Sequence, residues 1–381
     1  MADIGKIPVW LDCDPGHDDA FAILLAAHHP SIHLLGLSTV HGNSSLEHTT
    51  RNALSIITAI GRPDIPVYPG AYASLNRPAV HAPAIHGISG IDGTSLLPTP
   101  LTTARDDEPA VEAMACCLLS TAPQTAWLVA TGALTNIAIL FSSHPEVASH
   151  IKGLSIMGGA IGGNFTSASM GHVAGDTAER IGNWSRWAEF NILVDPEAAD
   201  QIFSNSIVNK KTTLIPLDVT HQVLATKEAQ ALILWGKEGV RSAKGDLDGM
   251  GKSTLRRMLL ELLLFFANTY VEVFGFKTGP PLHDPLAVAA IFDGIPGVEI
   301  PFRDFEGDGG KRERYGVHVI TEGTHEDAQN GAETGRTIVK LLPEGVEGVK
   351  IPRGLNIPHF WEVVEDCLAR ADEVNKSNGM L

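Results

Sequence analysis

A chain of 381 residues, 44% apolar and 19% charged, carries enough hydrophobic material for a full core, which excludes disordered, collagen-like and coiled-coil classes. Its 28 Lys and Arg stand against 44 Asp and Glu, a net charge of −16. A surface this acidic repels phosphate backbones and anionic lipid, so no nucleic acid and no membrane is expected as a partner.

The four cysteines (Cys13, Cys116, Cys117, Cys367) show an adjacent pair and no CxxC spacing, and read as reduced, buried thiols. Residues 1–10 are too polar for a signal-peptide core. The longest greasy stretch, 258–267, contains Glu261 and falls short of a bilayer span, so the expected location is cytoplasmic.

In chain order, 7–13 reads as a buried strand, followed by a turn at Pro15-Gly16 and a helix over 18–28. A strand at 32–40 and a helix at 46–60 follow. Further strands are expected at 125–130, 154–157 and 213–217, with helices after the first and third, the last starting near Thr226. A long helix is expected at 253–274, a strand at 315–321 and a closing helix at 358–373. Strands separated by helices predict βαβ units: an α/β fold with an open, mostly parallel twisted sheet and helices on both faces, as one large domain over 1–381. Three segments break the rhythm: 76–107, rich in Pro, Gly and His; 158–183, rich in Gly; and 238–252. Loops this long in a compact domain usually carry function or are disordered.

Chemistry concentrates in three places. Asp12, Asp14, Asp18 and Asp19 put four carboxylates within eight residues, where a buried strand passes into a helix. Ligands of open parallel sheets bind at such carboxyl ends. Singly, Asp18 or Asp19 reads equally well as a helix cap. Together they require a shared proton or a cation, because two carboxylates about 4 Å apart repel by about 4 kcal/mol at an effective dielectric near 20. An all-oxygen donor set favours Ca²⁺ or Mg²⁺ over zinc. Much later, His283-Asp284 offers a second carboxylate source beside a residue that titrates near neutrality. Between them, Asn183, Glu189 and Asn191 supply amide and carboxylate groups suited to gripping hydroxyls.

The stretches DCDPGHDDA (12–20), VHGN (40–43), TGALTN (131–136), MGG (157–159), AEFN (188–191) and HD (283–284), in this order and spacing, resemble the inosine–uridine-preferring nucleoside hydrolase family over about residues 7–292. The resemblance implies an open, Rossmann-like α/β fold, a bound Ca²⁺, hydrolysis of the N-glycosidic bond of ribonucleosides, and a homo-oligomer, dimer or tetramer. Carried over position by position, Asp14, Asp19 and Asp284 would ligate Ca²⁺ with the carbonyl of Thr131. Asp18, Asn43, His86, Asn183, Glu189 and Asn191 would hold the ribose. Asp14 would also be the general base for a metal-bound water, and His283 the general acid for the leaving base. His86 falls in a family loop, which makes 76–107 a candidate lid.

Two departures stand out. His17 replaces an apolar or small residue and is expected to face solvent. The 158–183 stretch is longer than usual in the family, and within it Asn183, six residues before Glu189, is a better match than Asn164. Trp184 and Trp187 could stack on a base or pack beneath the loop. Two other readings stand beside the hydrolase. A haloacid-dehalogenase-type Mg²⁺ phosphohydrolase also opens on Asp-x-Asp, but Gly16-His17-Asp18-Asp19 replaces its continuation. A non-catalytic ribonucleoside-binding protein would not need His283.

Overall fold

The computed structural model describes residues 5–172, 175, 177–243, 247–305 and 312–379. Its central sheet has six parallel strands: β1 (Ile7–Cys13), β2 (Ile32–Thr39), β3 (Val67–Pro69), β4 (Trp127–Ala130), β5 (Gly153–Met157) and β6 (Thr212–Ile215). Their spatial order is β3-β2-β1-β4-β5-β6. Strand parity assigns each side chain to a face. Val9, Leu11 and Cys13 of β1 join one core, with helices Asp19–His28, Leu46–Ala59, Thr254–Phe274, Pro285–Ala289 and Ile357–Ser377. Trp10 joins the other, with helices Ala110–Leu119, Thr135–Ser143 and Pro196–Ser204. With both faces covered, β5 is buried at every residue, which is why parallel strands read as near-continuous apolar runs.

The expected α/β class is therefore observed, with adjusted boundaries. The strand expected at 213–217 ends at Ile215, because Pro216 has no N–H to extend a ladder and the chain turns at once into helix Leu217–Thr220. Strand β3 and helix Ala110–Leu119 escaped the hydrophobic pattern. The strand is only three residues long, ends on Pro69 and sits at the sheet edge, where proline is tolerated. Within 76–107 only Pro83–His86 is helical. Cys13 and Cys367 are buried as expected, but Cys116 is exposed and Cys117 partly so, because helix Ala110–Leu119 turns that stripe to solvent. Among the described residues no helix is long and apolar enough to cross a membrane.

Strand order reverses between β1 and β4, and there the two chains part at their carboxyl ends. A buried polar knot fixes this point. Asp12 Oδ1 accepts from Ser38 Oγ at 2.5 Å and from Asn136 Nδ2 at 2.7 Å, while the Thr131 amide donates to the Asp12 carbonyl at 2.9 Å. Burial pushes the Asp12 carboxyl up to about 7.

Helix Thr254–Phe274 is anchored from behind by Arg256, which has no exposed surface. Its guanidinium donates to Asp372 at 2.6 Å, to Glu365 at 3.1 Å and to the Ile233 carbonyl at 2.8 Å. Removing the cation strands two acids in a low-dielectric region. Arg256→Ala is expected to cost about 3–5 kcal/mol in denaturant unfolding; a loss below about 1 kcal/mol would contradict this role for the ion triad.

Candidate active site

Two glycines bring Asp14 into place. A Cβ on Gly42 would lie 2.1 Å from Asp14 Oδ2, and one on Gly132 would lie 2.8 Å from Oδ1, so the loops after β2 and β4 can close on this carboxylate only without side chains. Asp14 Oδ2 accepts from the Asn43 amide at 2.8 Å, and the Asn43 side chain donates to the Asp14 carbonyl at 3.0 Å. Oδ1 is buried without a hydrogen bond among the described residues. Asp19 accepts from the Gly16 amide at 2.9 Å and from Thr131 Oγ1 at 3.0 Å.

Asp18 and Asp284 occupy N-cap positions, yet neither side chain caps its helix. The simple capping reading of Asp18 is thereby removed. Instead, one oxygen each from Asp18, Asp19 and Asp284 lies within 4.8 Å of the others, all three residues being buried. Asp18, expected to contact only the ribose, is thus part of the tightest acidic triple. Asp14 is coupled to it by charge through Asp19. Burial, reinforced by neighbouring carboxylates, raises the Asp14 and Asp284 carboxyls well above their usual range and Asp18 to about 7.

Above this floor lies a cavity lined by Asp18, Asn43, His86, Thr131, Asn183, Glu189, Asn191, His283 and Asp284. Every residue expected at the site lines this space except Asp14 and Asp19. Polar groups converging in a concave pocket mark a small-molecule site.

Glu189 is the N-cap of helix Phe190–Val194 and accepts from the amides of Asn191 at 2.9 Å, Ile192 at 3.1 Å and Gly159 at 2.9 Å. Its carboxylate therefore holds the MGG turn as well as facing the cavity. Asn191 Nδ2 donates to the Thr131 carbonyl at 2.9 Å, and Asn183 Oδ1 accepts from the Phe190 amide at 2.9 Å. Asn183 rather than Asn164 lines the cavity.

The rest of the lining is aromatic and imidazole. His283 Nε2 lies 2.8 Å from the Tyr270 hydroxyl and Nδ1 lies 2.7 Å from Thr220 Oγ1. Burial, then the neighbouring His221, holds its pKa well below the ordinary histidine value. His86, at the end of the single helical turn in 76–107, places its Nδ1 3.0 Å from His17 Nδ1.

His17 does not face solvent. It is 1% exposed, its Nε2 lies 2.7 Å from the Asp92 carbonyl and its ring stacks on Phe265 at 5.1 Å. A carbonyl only accepts, so that nitrogen carries a proton. The Ser89 and Ile88 carbonyls are tied to Asn52 and Ser44, so the segment expected as a lid sits pinned over the cavity. Neither tryptophan reaches the cavity. Trp184 packs on Phe190 at 4.9 Å, and Trp187 lies between the guanidinium groups of Arg186 and Arg336.

Phe266 and Tyr270 also line the cavity and were missed. Their i, i+4 spacing on an apolar helix reads as core, and nothing in the residue types separates a cavity wall from a core.

An acidic floor at the switch point of an open parallel sheet, in a cavity also lined by amides, imidazoles and rings, fits an α/β enzyme that acts on a small polar molecule. The chain matches the model described as inosine-uridine preferring nucleoside hydrolase over residues 9–362, and it belongs to that family; it hydrolyses the N-glycosyl bond of ribonucleosides. It is 38% identical over 378 residues to the uridine nucleosidase of Saccharomyces cerevisiae, covering 98% of each chain. It is 41% identical over 283 residues to the pyrimidine-specific ribonucleoside hydrolase RihA of Shewanella woodyi, covering 74% of this chain and 78% of that one. Among solved structures it is similar to a purine-preferring ribonucleoside hydrolase from Gardnerella vaginalis, with TM-score 0.73, 27% identity and coverage of 96% and 99%.

The raised carboxyls give a pH-dependent expectation. A carboxyl whose folded pKa exceeds its unfolded value near 4 stabilises the metal-free fold below that value, and this stability is lost as pH rises through about 7, where Asp18 ionises. Protons and a cation compete for the same oxygens. Added Ca²⁺ should therefore raise the melting temperature of chelator-stripped protein more at about pH 8 than at about pH 5. Equal increments would contradict this.

Proposed function

We propose that the chain releases ribose and free base from ribonucleosides, uridine foremost, in a Ca²⁺-dependent reaction with Asp14 as general base. The observation that carries this reading is the acidic floor, where Asp14 Oδ1 is buried without a hydrogen-bond partner among the described residues beside three more buried carboxylates. This donor set fits a hard cation preferring six to eight oxygens. Asp14, Asp19 and Asp284 would hold the cation with the Thr131 carbonyl, and Asp18 lies close enough to share. When bound, the ion balances the carboxylate charge and eases the deprotonation of water.

This chain's own groups do the rest. Asp14 takes a proton from the attacking water, whose oxygen forms the new bond to the anomeric carbon as the carbon–nitrogen bond breaks. Positive charge develops on the ribose ring as the base departs. The buried carboxylates facing that ring are fixed in advance, so their attraction strengthens toward the transition state. Asp18, Asn43, Asn183, Glu189 and Asn191 hold the ribose hydroxyls, and His86 closes the cavity from the lid side.

His283 begins neutral. Its 2.8 Å contact with the Tyr270 hydroxyl supports a route for the proton that the departing base draws out. A preference for uridine is supported by the end-to-end similarity to a relative named uridine nucleosidase.

The test is ribose release from uridine, cytidine, inosine and adenosine, each with and without chelator. Ribose from uridine, lost with chelator and restored by Ca²⁺, is the expected result. No ribose from any of the four by folded, Ca²⁺-loaded protein would overturn the reading. Asp14→Asn should lower kcat at least about a hundredfold, the scale of a lost general base. His283→Ala should impair uridine cleavage more than cleavage of p-nitrophenyl riboside, whose leaving group departs without a proton; equal losses would make His283 a positioning group.

A further inference from the structure

Arg180 lies on the segment that lengthens this chain relative to its family, just before the turn carrying Asn183. Its Nε donates to the Gly182 carbonyl at 2.9 Å, and its Nη2 donates to the carbonyls of Asn183 at 3.0 Å and Trp184 at 2.8 Å. One guanidinium thus gathers three successive carbonyls, which a planar fork of donors can do and an ammonium cannot match. The same group lies 5.3 Å from the centroid of Phe274, whose ring stacks on Tyr270 at 5.0 Å.

Both ends of this contact reach the cavity. Asn183 and Tyr270 line it from different elements, and the Asn183 side chain reaches the Tyr270 hydroxyl. The turn itself is drawn tight: the Ile181 amide donates to the Arg186 carbonyl at 2.8 Å, and a Cβ on Gly182 would lie 2.0 Å from the Ala188 carbonyl oxygen.

We propose that Arg180 is a positioning residue for ribonucleoside binding: it clamps the 182–184 turn against the Phe274–Tyr270 stack and so fixes the Asn183–Tyr270 pair at the cavity. The inference rests on the ribonucleoside reading above and extends it, because it gives the inserted segment a part in substrate binding. Arg180 is not among the residues that line the cavity. Its effect passes through Asn183, so it acts on affinity more than on the chemical step.

The experiment uses the full chain with Ca²⁺ and uridine, and compares wild type, Arg180→Gln, Arg180→Lys, Asn183→Ala and the Arg180→Gln/Asn183→Ala double variant for kcat, KM and melting temperature. Arg180→Gln should raise KM about tenfold, with kcat within about threefold of wild type. Arg180→Lys should recover part of the loss, since it keeps a donor and loses the fork. In the Asn183→Ala background the Arg180→Gln change should add less than about twofold to KM, because coupled residues are not additive. Unchanged kinetics in Arg180→Gln would overturn the inference, as would the same KM factor in both backgrounds. A fall in kcat tracking a fall in melting temperature would also overturn it, by showing a structural role only. Should Arg180→Gln not fold, Arg180→Lys alone and with Asn183→Ala carries the same comparison. A wild type that releases no ribose overturns the functional reading and this inference together, whereas an active wild type beside an unchanged Arg180→Gln overturns the inference alone.

Discussion

Four buried carboxylates, Asp14, Asp18, Asp19 and Asp284, converge where β1 and β4 separate, and their mutual repulsion is the constraint around which the surrounding structure is arranged. At an effective dielectric near 20, one such pair about 4 Å apart costs about 4 kcal/mol. The chain tolerates that cost only with protons or a cation among the oxygens. Much of the nearby structure serves to hold these acids in spite of it: Gly42 and Gly132 admit Asp14, the Asn43 amide and side chain bind its two ends, and Thr131 and Gly16 fix Asp19. The fourth acid arrives from more than 260 residues along the chain, on a helix packed against the first one.

The cavity inherits a polarity from this floor. Carboxylates and amides line it together with Tyr270, Phe266, His283 and His86. A ribonucleoside presents both kinds of surface, a polyhydroxylated ring that gains positive charge on cleavage and a flat, weakly polar base. On the proposed mechanism the carboxylates would stabilise the developing charge and His283 would assist the leaving base, with the 76–107 segment that carries His86 limiting water at the cavity.

The division between what was legible in the sequence and what was not follows physical lines. The parallel sheet could be read because strands buried on both faces have to be apolar, as β1 and β5 are. The acidic cluster could be read because carboxylates crowd at a strand end only for a reason. Asn183, Glu189 and Asn191 were found through family spacing, since polar residues in a loop carry little signal alone. Strand β3 was missed because three residues ending in proline leave no period to detect. Tyr270 and Phe266 were missed because a helix stripe lining a cavity is written in the same residues as one lining a core. His17 was misjudged because burial of a histidine depends on a partner, here His86, nearly seventy residues away, and no local pattern announces it.

The most direct measurement is calorimetric titration of Ca²⁺ into chelator-stripped wild-type protein and into Asp14→Asn and Asp284→Asn variants, with ribose release from uridine followed in the same samples. One equivalent of Ca²⁺ per chain, with proton uptake or release that changes with buffer, and loss of both binding and turnover in the variants, is the expected result. Absence of Ca²⁺ binding in wild type, with ribose release continuing in chelator, would contradict a cation-centred site and leave the four carboxylates as proton-sharing groups.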